Sequence, residues 1–151
     1  MQLVAAVFDL DGVVTRTAHI HAKAWKQLFD DYLHSRESRF GEPFRHFTDA
    51  EYLAHVDGRP RYDGVRTFLT SRGITLEEGS PADAADRDTV VGLGNRKNHL
   101  FGQLLDEMGV EVDEDAVRFI RDLRARKIPV GVASSSKNTE RVLEAAGLAA
   151  V

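Results

Sequence analysis

The stretch "VFDLDGVVTRT", residues 7–17, sets Asp9 and Asp11 behind an apolar run and ahead of a glycine. The run itself, "LVAAVF" from Leu3 to Phe8, is nearly unbroken and partly β-branched, the pattern of a strand buried on both faces in a parallel sheet. It predicts a central strand with both acids at its carboxyl end. Open parallel sheets bind ligands beyond those ends, and Gly12 lets the chain turn sharply there. Burying both ionised carboxylates together is costly without a cation, because like charge and desolvation each raise a carboxyl pKa. A hard divalent ion such as Mg²⁺ resolves the conflict. One carboxylate can then bind metal and attack an electrophile while its neighbour carries a proton. A bare D-x-D can equally cap the next element.

The second decisive stretch is "IPVGVA", Ile128 to Ala133, another apolar strand. Before it, "DEDAVRFIRDLRARK" spaces Ala116, Val117, Ile120 and Leu123 on one helical face. After it, "SSSKNTERVLEAAGL" predicts a polar loop and a helix with Val142, Leu143 and Ala146 inward and Gly147 as its C-terminal cap. Strand, polar loop and helix thus recur at both ends of the chain, which argues for an α/β sheet with helical crossovers. In the loop, Ser134, Ser135, Ser136, Lys137 and Asn138 gather hydroxyls, a cation and an amide at a helix start. Free backbone N–H groups and the helix dipole favour an anion there, and phosphate fits. Ordinary N-capping by Ser136 or Asn138 also contributes.

Between these ends the strand pattern stops, and helical patterns follow one another over residues 17–112. Ala18, His21, Trp25, Leu28 and Tyr32 share a face, and Thr48 with Glu51 forms a capping box. Val65, Phe68 and Leu69 lead to Gly73, while Leu100, Phe101, Leu104, Leu105 and Met108 lead to Gly109. In the polar connection "EEGSPADAADRD", Pro81 is expected to open a turn of helix. Gly92 and Gly94 each weaken their helix by about 1 kcal/mol relative to alanine.

Composition sets the outer bounds. The 151 residues suit one domain, or a small domain carrying an insertion; 42% are hydrophobic and 29% charged, a globular balance. A net charge of -4 offers no general attraction to nucleic acid or to an anionic membrane. Without cysteine there is no disulfide framework, thiolate nucleophile or cysteine zinc site. No apolar run approaches the roughly 20 residues of a membrane span. The first ten residues lack a basic leader, so a cytoplasmic protein is expected.

"FDLDGVVT" and the serine after "VGVA" together resemble the first two motifs of the haloacid dehalogenase superfamily of phosphotransferases. Within it the chain is similar to the β-phosphoglucomutase-like subgroup, through "DLDGVVTRTAHIHAKAWK", "VDGRPRYDGV", "GNRKN" and "ASSSKN". The resemblance implies an α/β, Rossmann-like parallel sheet core, incomplete here, from residues 1–16 and 113–151, with an inserted α-helical cap over 17–112. It implies that Asp9 is a nucleophile that becomes an aspartyl phosphate and that Asp11 is the general acid and base. It implies Mg²⁺ against the Asp9 carboxylate and the Asp11 main-chain carbonyl. Ser134 would hold the moving phosphoryl group, beside Ser135; Ser136, Lys137 and Asn138, with Arg61 from the cap, would hold the second phosphate. Trp25 and Lys97 match cap positions near the sugar, and Thr17 and His21 match the hinge that orients Asp11. Read without the family, Trp25 is core, His21 a structural hydrogen-bonder, and Arg61 and Lys97 solvated charges.

The implied reaction converts β-glucose 1-phosphate to glucose 6-phosphate, so the expected partner is a small-molecule sugar phosphate, with no nucleic acid or membrane. A sugar-phosphate phosphatase is the near alternative, and Arg61 and Lys97 favour the mutase. Arg16 stands where the family carries an acid, Ser135 where it carries a small apolar residue, and Arg59, Pro60 and Gly64 differ from its sugar-contacting loop. The third motif, a lysine, and the fourth, an acidic pair, are expected beyond Val151. The chain therefore resembles the front part of a larger enzyme, to be completed by the C-terminal part; alone it could be an inactive phosphate-binding fragment.

Overall fold

The computed structural model describes residues 3–149. Its elements run β1 (Ala6–Asp9), α1 (Ala18–Phe40), α2 (Asp49–His55), α3 (Arg61–Ser71), α4 (Val90–Met108), α5 (Glu114–Ala125), β2 (Val130–Ala133) and α6 (Thr139–Ala145). They separate into two compact units, Met1–His19 with Glu107–Val151, and Ile20–Asp106.

In the first unit β1 and β2 pair in parallel, with Ala6 opposite Val130, Val7 opposite Gly131, Phe8 opposite Val132 and Asp9 opposite Ala133. A parallel pair needs a long crossover, and here the crossover contains the whole second unit as well as α5. Asp113 caps α5, its carboxylate accepting from the Ala116 N–H at 3.0 Å. The helix buries Val117, Ile120 and Leu123, and Phe119 meets Phe8 edge to face at 5.9 Å.

Two expectations for the Leu3–Phe8 run need correction. The strand begins at Ala6 and lies in a sheet of two strands among the described residues, so neither is central. Nor is it buried on both faces. Phe8 turns toward α5, whereas Val7 on the opposite side is 72% exposed, because a two-stranded sheet with a helix on one side leaves its other side uncovered.

The ends of the crossover are tied together. The Arg16 N–H donates to the Glu111 carbonyl at 2.8 Å and the Asp113 N–H to the Val14 carbonyl at 3.0 Å, and Thr15 bridges antiparallel to Val112. The outgoing and returning chains thus share a short backbone seam.

The second unit is helical. Along α1, Ile20, Ala24, Trp25, Leu28, Phe29, Tyr32 and Leu33 are buried, an i, i+4, i+5 stripe wider than the expected one; Ala18 lies outside it, exposed, and His21 is half-buried. Phe29 is the hub, its ring 4.0 Å from Phe68, 5.0 Å from Phe47 and 5.3 Å from Trp25 between centroids. Fully burying one such ring contributes about 2–3 kcal/mol. Val65, Phe68 and Leu69 of α3 and Val90 and Leu93 of α4 complete the core.

Gly92 and Gly94, which weaken α4 locally, are there for contact. A Cβ on Gly92 would lie 2.3 Å from the Arg87 carbonyl oxygen, and one on Gly94 2.5 Å from the Tyr62 ring. Pro81 opens no helix. It sits in a turn of a connection pinned by other groups: Val90 and Val91 N–H donate to the Glu77 and Glu78 carbonyls, and Thr89 donates to Asp83 at 2.7 Å. No helix among the described residues is long and apolar enough to cross a membrane.

The Thr48–Glu51 capping box forms as expected. Partial burial opposes ionisation of Glu51, but the Arg72 guanidinium, with the Thr48 hydroxyl and amide, outweighs it and holds the carboxyl at about 2 against an ordinary 4.5. A depressed carboxyl stabilises the fold above its unfolded pKa and loses that contribution as pH falls through its folded value. Glu51 therefore supplies up to about 3 kcal/mol near neutrality, lost between pH 4.5 and 2. Glu51→Gln is expected to lower stability at pH 7 by about 1–3 kcal/mol, with the deficit shrinking as pH drops through that window. Urea unfolding at several pH values checks this, and a pH-independent deficit would contradict it.

Candidate functional site

The site grows from the ends of β1 and β2. The ladder runs one step past the strands, with the Leu10 N–H donating to the Ala133 carbonyl at 3.2 Å. The chain then reverses about the Leu10 carbonyl, which accepts from the Val14 and Thr15 amides at 3.1 and 2.9 Å. Gly12 adopts φ +88° in this turn, a conformation that strains residues bearing a Cβ. Leu10 is fully buried and anchors the loop.

Asp9 closes β1, exposed, its Oδ1 accepting from the Leu10 N–H at 2.9 Å. Asp11 is half-buried and held from two sides. Thr17 Oγ1 donates to its Oδ1 at 2.5 Å and Ser134 Oγ to its Oδ2 at 3.0 Å. Ser134 Oγ in turn accepts from the Ser136 N–H at 3.0 Å. The acid motif and the serine loop are therefore one constellation, although 123 residues separate Asp11 from Ser134.

Sequence reasoning expected two carboxylates buried together. The structure differs, since Asp9 faces solvent and Asp11 is half-buried, its two oxygens accepting from Thr17 and Ser134. Among the described residues no three His, Cys, Asp or Glu side chains form a metal cluster.

Around Ser134, Ser135 and Lys137 are exposed, and Ser136 Oγ accepts from the Asn138 N–H at 3.1 Å. Asn138 occupies the N-cap of α6 but its side chain makes no capping bond. Its backbone, at φ −98° and ψ 12°, is outside the extended region that a capping side chain uses, and its amide turns back toward Ser136 Oγ at 3.5 Å.

The remaining expected residues lie in the helical unit. Lys97, only 4% exposed, donates from Nζ to His21 Nδ1 at 2.7 Å. A lysine ammonium can only donate, so Nδ1 is the acceptor in this contact. The His21 ring stacks on Phe101 with centroids 4.0 Å apart, and Nζ lies 4.8 Å from the Phe101 ring centre and 5.2 Å from that of Trp25. Cation–π attraction and the imidazole thus offset the desolvation of the ammonium. His21, Trp25 and Lys97 form one cluster. Arg61 opens α3, its Nη2 donating to the Tyr62 hydroxyl at 3.3 Å.

Sequence reasoning missed Thr15 and Tyr62. Thr15 is fully buried, its hydroxyl bonding the Leu10 carbonyl at 3.1 Å and Thr17 Oγ1 at 2.8 Å. The signal was present in "TRT", where alternation places Thr15 and Thr17 on one side of an extended segment. Tyr62 left no such signal.

A parallel α/β pair with an acid turn facing a serine loop, interrupted in its crossover by a helical unit, defines a Rossmann-like protein with a cap-type insertion. The chain belongs to the haloacid dehalogenase-like hydrolase family, whose family model matches residues 3–151. A β-phosphoglucomutase of Mycobacterium bovis is 48% identical over 145 residues, covering 95% of this chain and 55% of that protein. A Mycobacterium tuberculosis protein named an uncharacterized glycosyl hydrolase is 40% identical over 147 residues, 97% of this chain but 11% of its own length. In fold, the crystal structure of β-phosphoglucomutase from Clostridium difficile matches with a TM-score of 0.73 at 23% identity, covering 99% of this chain and 59% of that one. The chain spans about half the length of the mutases it matches.

Thr17 is fully buried, so Thr17→Val removes a hydroxyl that serves both Asp11 and Thr15 while keeping the shape. It is expected to cost about 1–3 kcal/mol, read as a lower urea midpoint, with Thr17→Ser largely restoring stability. A valine variant as stable as the parent would show that this hydroxyl chain does not form.

Proposed function

We propose that this chain carries the nucleophile and phosphate-holding residues of a Mg²⁺-dependent phosphotransferase that converts β-glucose 1-phosphate to glucose 6-phosphate. The observation that carries the reading is the Asp11–Ser134 hydrogen bond of 3.0 Å at the carboxyl ends of the paired strands. It brings Asp11, two residues from a second carboxylate, against a serine-rich loop. The 48% identity to a named β-phosphoglucomutase supports the substrate class.

In this reading an Asp9 oxygen attacks the C1 phosphorus of a sugar bisphosphate, and the C1 oxygen leaves with a proton from Asp11 as glucose 6-phosphate. In the second half-reaction the 6-hydroxyl of β-glucose 1-phosphate gives its proton to Asp11 and takes the phosphoryl group from Asp9, which regenerates the bisphosphate. A carboxylate nucleophile splits one difficult transfer into two easier ones. Thr17 and His21 steer Asp11, and Ser134 turns its one hydroxyl proton from Asp11 to an oxygen of the moving phosphoryl group; positioning of this kind supplies most of the catalysis in phosphoryl transfer. In the same reading Ser136, Lys137 and Asn138 with Arg61 hold the second phosphate, and Trp25 and Lys97 serve the sugar side.

The donors fit a hard cation. Both are oxygens, Asp9 is exposed at the strand end, and Mg²⁺ needs only one or two carboxylates when water and phosphate complete its octahedron. The Asp9 carboxylate and the Asp11 main-chain carbonyl would hold it, and the ion would neutralise charge on the transferring group.

The test is turnover of β-glucose 1-phosphate with Mg²⁺ and a bisphosphate primer, by this chain and by any longer protein that contains it. Glucose 6-phosphate supports the proposal. Free phosphate replaces it with a phosphatase, and no turnover by the longer protein leaves a phosphate-binding role. Asp9→Asn is expected to abolish turnover while leaving the thermal transition unchanged, and retained activity would remove Asp9 from its role.

A further inference from the structure

We propose that Tyr62 and Asn95 are positioning residues that lock Arg61 in the orientation for gripping the non-transferring phosphate of a sugar phosphate. The inference rests on the role given to Arg61 above and names what makes that role possible. Arg61 stands at the very start of α3, after Pro60, which offers no side-chain cap. An arginine there has many rotamers, and a phosphate that must first order it is bound weakly. In this protein the ordering is built in.

The Arg61 guanidinium carbon lies 5.0 Å over the Tyr62 ring centre and Nη2 donates to the Tyr62 hydroxyl at 3.3 Å. That hydroxyl donates to Asn95 Oδ1 at 2.9 Å, and Asn95 Nδ2 donates to the Asp83 carbonyl at 2.9 Å. The polarity of this chain follows from its inner end. A carbonyl can only accept, so Asn95 must turn its nitrogen to Asp83 and its oxygen to Tyr62. The single phenolic proton then goes to Asn95, which leaves the tyrosine oxygen able only to accept from Arg61. A backbone carbonyl thereby dictates the orientation of a guanidinium three bonds away.

Two further observations support this. The Tyr62 ring can lie on α4 only because residue 94 is glycine, since a Cβ would meet ring atoms at 2.5 and 2.6 Å. And Arg61 Nε is buried without a hydrogen-bond partner among the described residues, so the bond to Tyr62 is what fixes the guanidinium and the head retains donor capacity for an oxyanion. A planar fork held in this way presents paired N–H groups suited to phosphate.

The experiment is a titration of the whole chain with inorganic phosphate, following the arginine Nε–Hε resonances by nitrogen–proton NMR. The Arg61 signal is assigned by its loss in Arg61→Lys, and the Ser134 and Ser135 amides serve as an internal reference. Phosphate is expected to shift the Arg61 signal. Tyr62→Phe keeps the ring and its cation–π contact but removes the hydroxyl, and is expected to weaken that response about three- to tenfold while the serine amides respond as before. Asn95→Ala, which leaves Tyr62 intact, is expected to act in the same direction and serves if the phenylalanine variant does not fold. An unchanged Arg61 response in both variants overturns the positioning role and leaves the role of Arg61 standing. No response of Arg61 in the parent chain overturns both, and equal weakening at Arg61 and at the serine amides marks a general structural effect and overturns the proposal.

Discussion

The register that sets Asp9 opposite Ala133 is the constraint on which the site depends. Ser134 is the first residue beyond this pair, and the Leu10–Ala133 bond carries the ladder just far enough to aim its hydroxyl at Asp11. A slip of one residue would move Ser134 about 3.3 Å along the strand and turn its side chain to the other face. The hydrogen bond to Asp11 does not survive either change. The seam joining residues 14–16 to 111–113 guards the register from behind, because it fixes where the chain leaves β1 and where it returns toward α5. The insertion between these points is therefore free to be large without disturbing the strand pair.

The two units treat buried charge differently. Asp11 accepts from the neutral hydroxyls of Thr17 and Ser134, and Thr15 lies within hydrogen-bond reach behind Thr17. Lys97 is packed against the Trp25 and Phe101 rings and the His21 imidazole.

Legibility in the sequence followed the length scale of each interaction. The Leu3–Phe8 and Ile128–Ala133 runs announced a parallel pair, and the acid turn and serine loop announced what the strand ends carry, because periodicity and turn chemistry are local. The same locality misjudged exposure. An apolar run does not reveal how many strands flank it, so Val7 was expected inside and lies mostly in solvent. Gly92 and Gly94 looked like defects in a helix until Arg87 and Tyr62 were seen against them. Tyr62 itself was invisible, since its meaning comes from Asn95, 33 residues away. Thr15 was legible in principle from alternation within "TRT", and Asn138 looked like a cap until its backbone angles placed it outside the capping conformation.

Membership of a family settles the frame before it settles the chemistry, because one fold hosts many reactions and function resides in the groups placed on it. The likeness to the Mycobacterium bovis mutase extends over 95% of this chain, so it includes the helical unit as well as the strand ends. This matters for the substrate. The strand-end constellation provides an acid turn against a serine loop, a pairing that the phosphatase and mutase readings share. What separates them is whether a second phosphate is gripped while the first is transferred, and that demand falls on cationic groups outside the strand ends. In the proposed reading an arginine ordered in advance by a tyrosine, an asparagine and a backbone carbonyl would answer it, since preorganisation lowers the cost of binding each intermediate without tightening the chemistry at phosphorus.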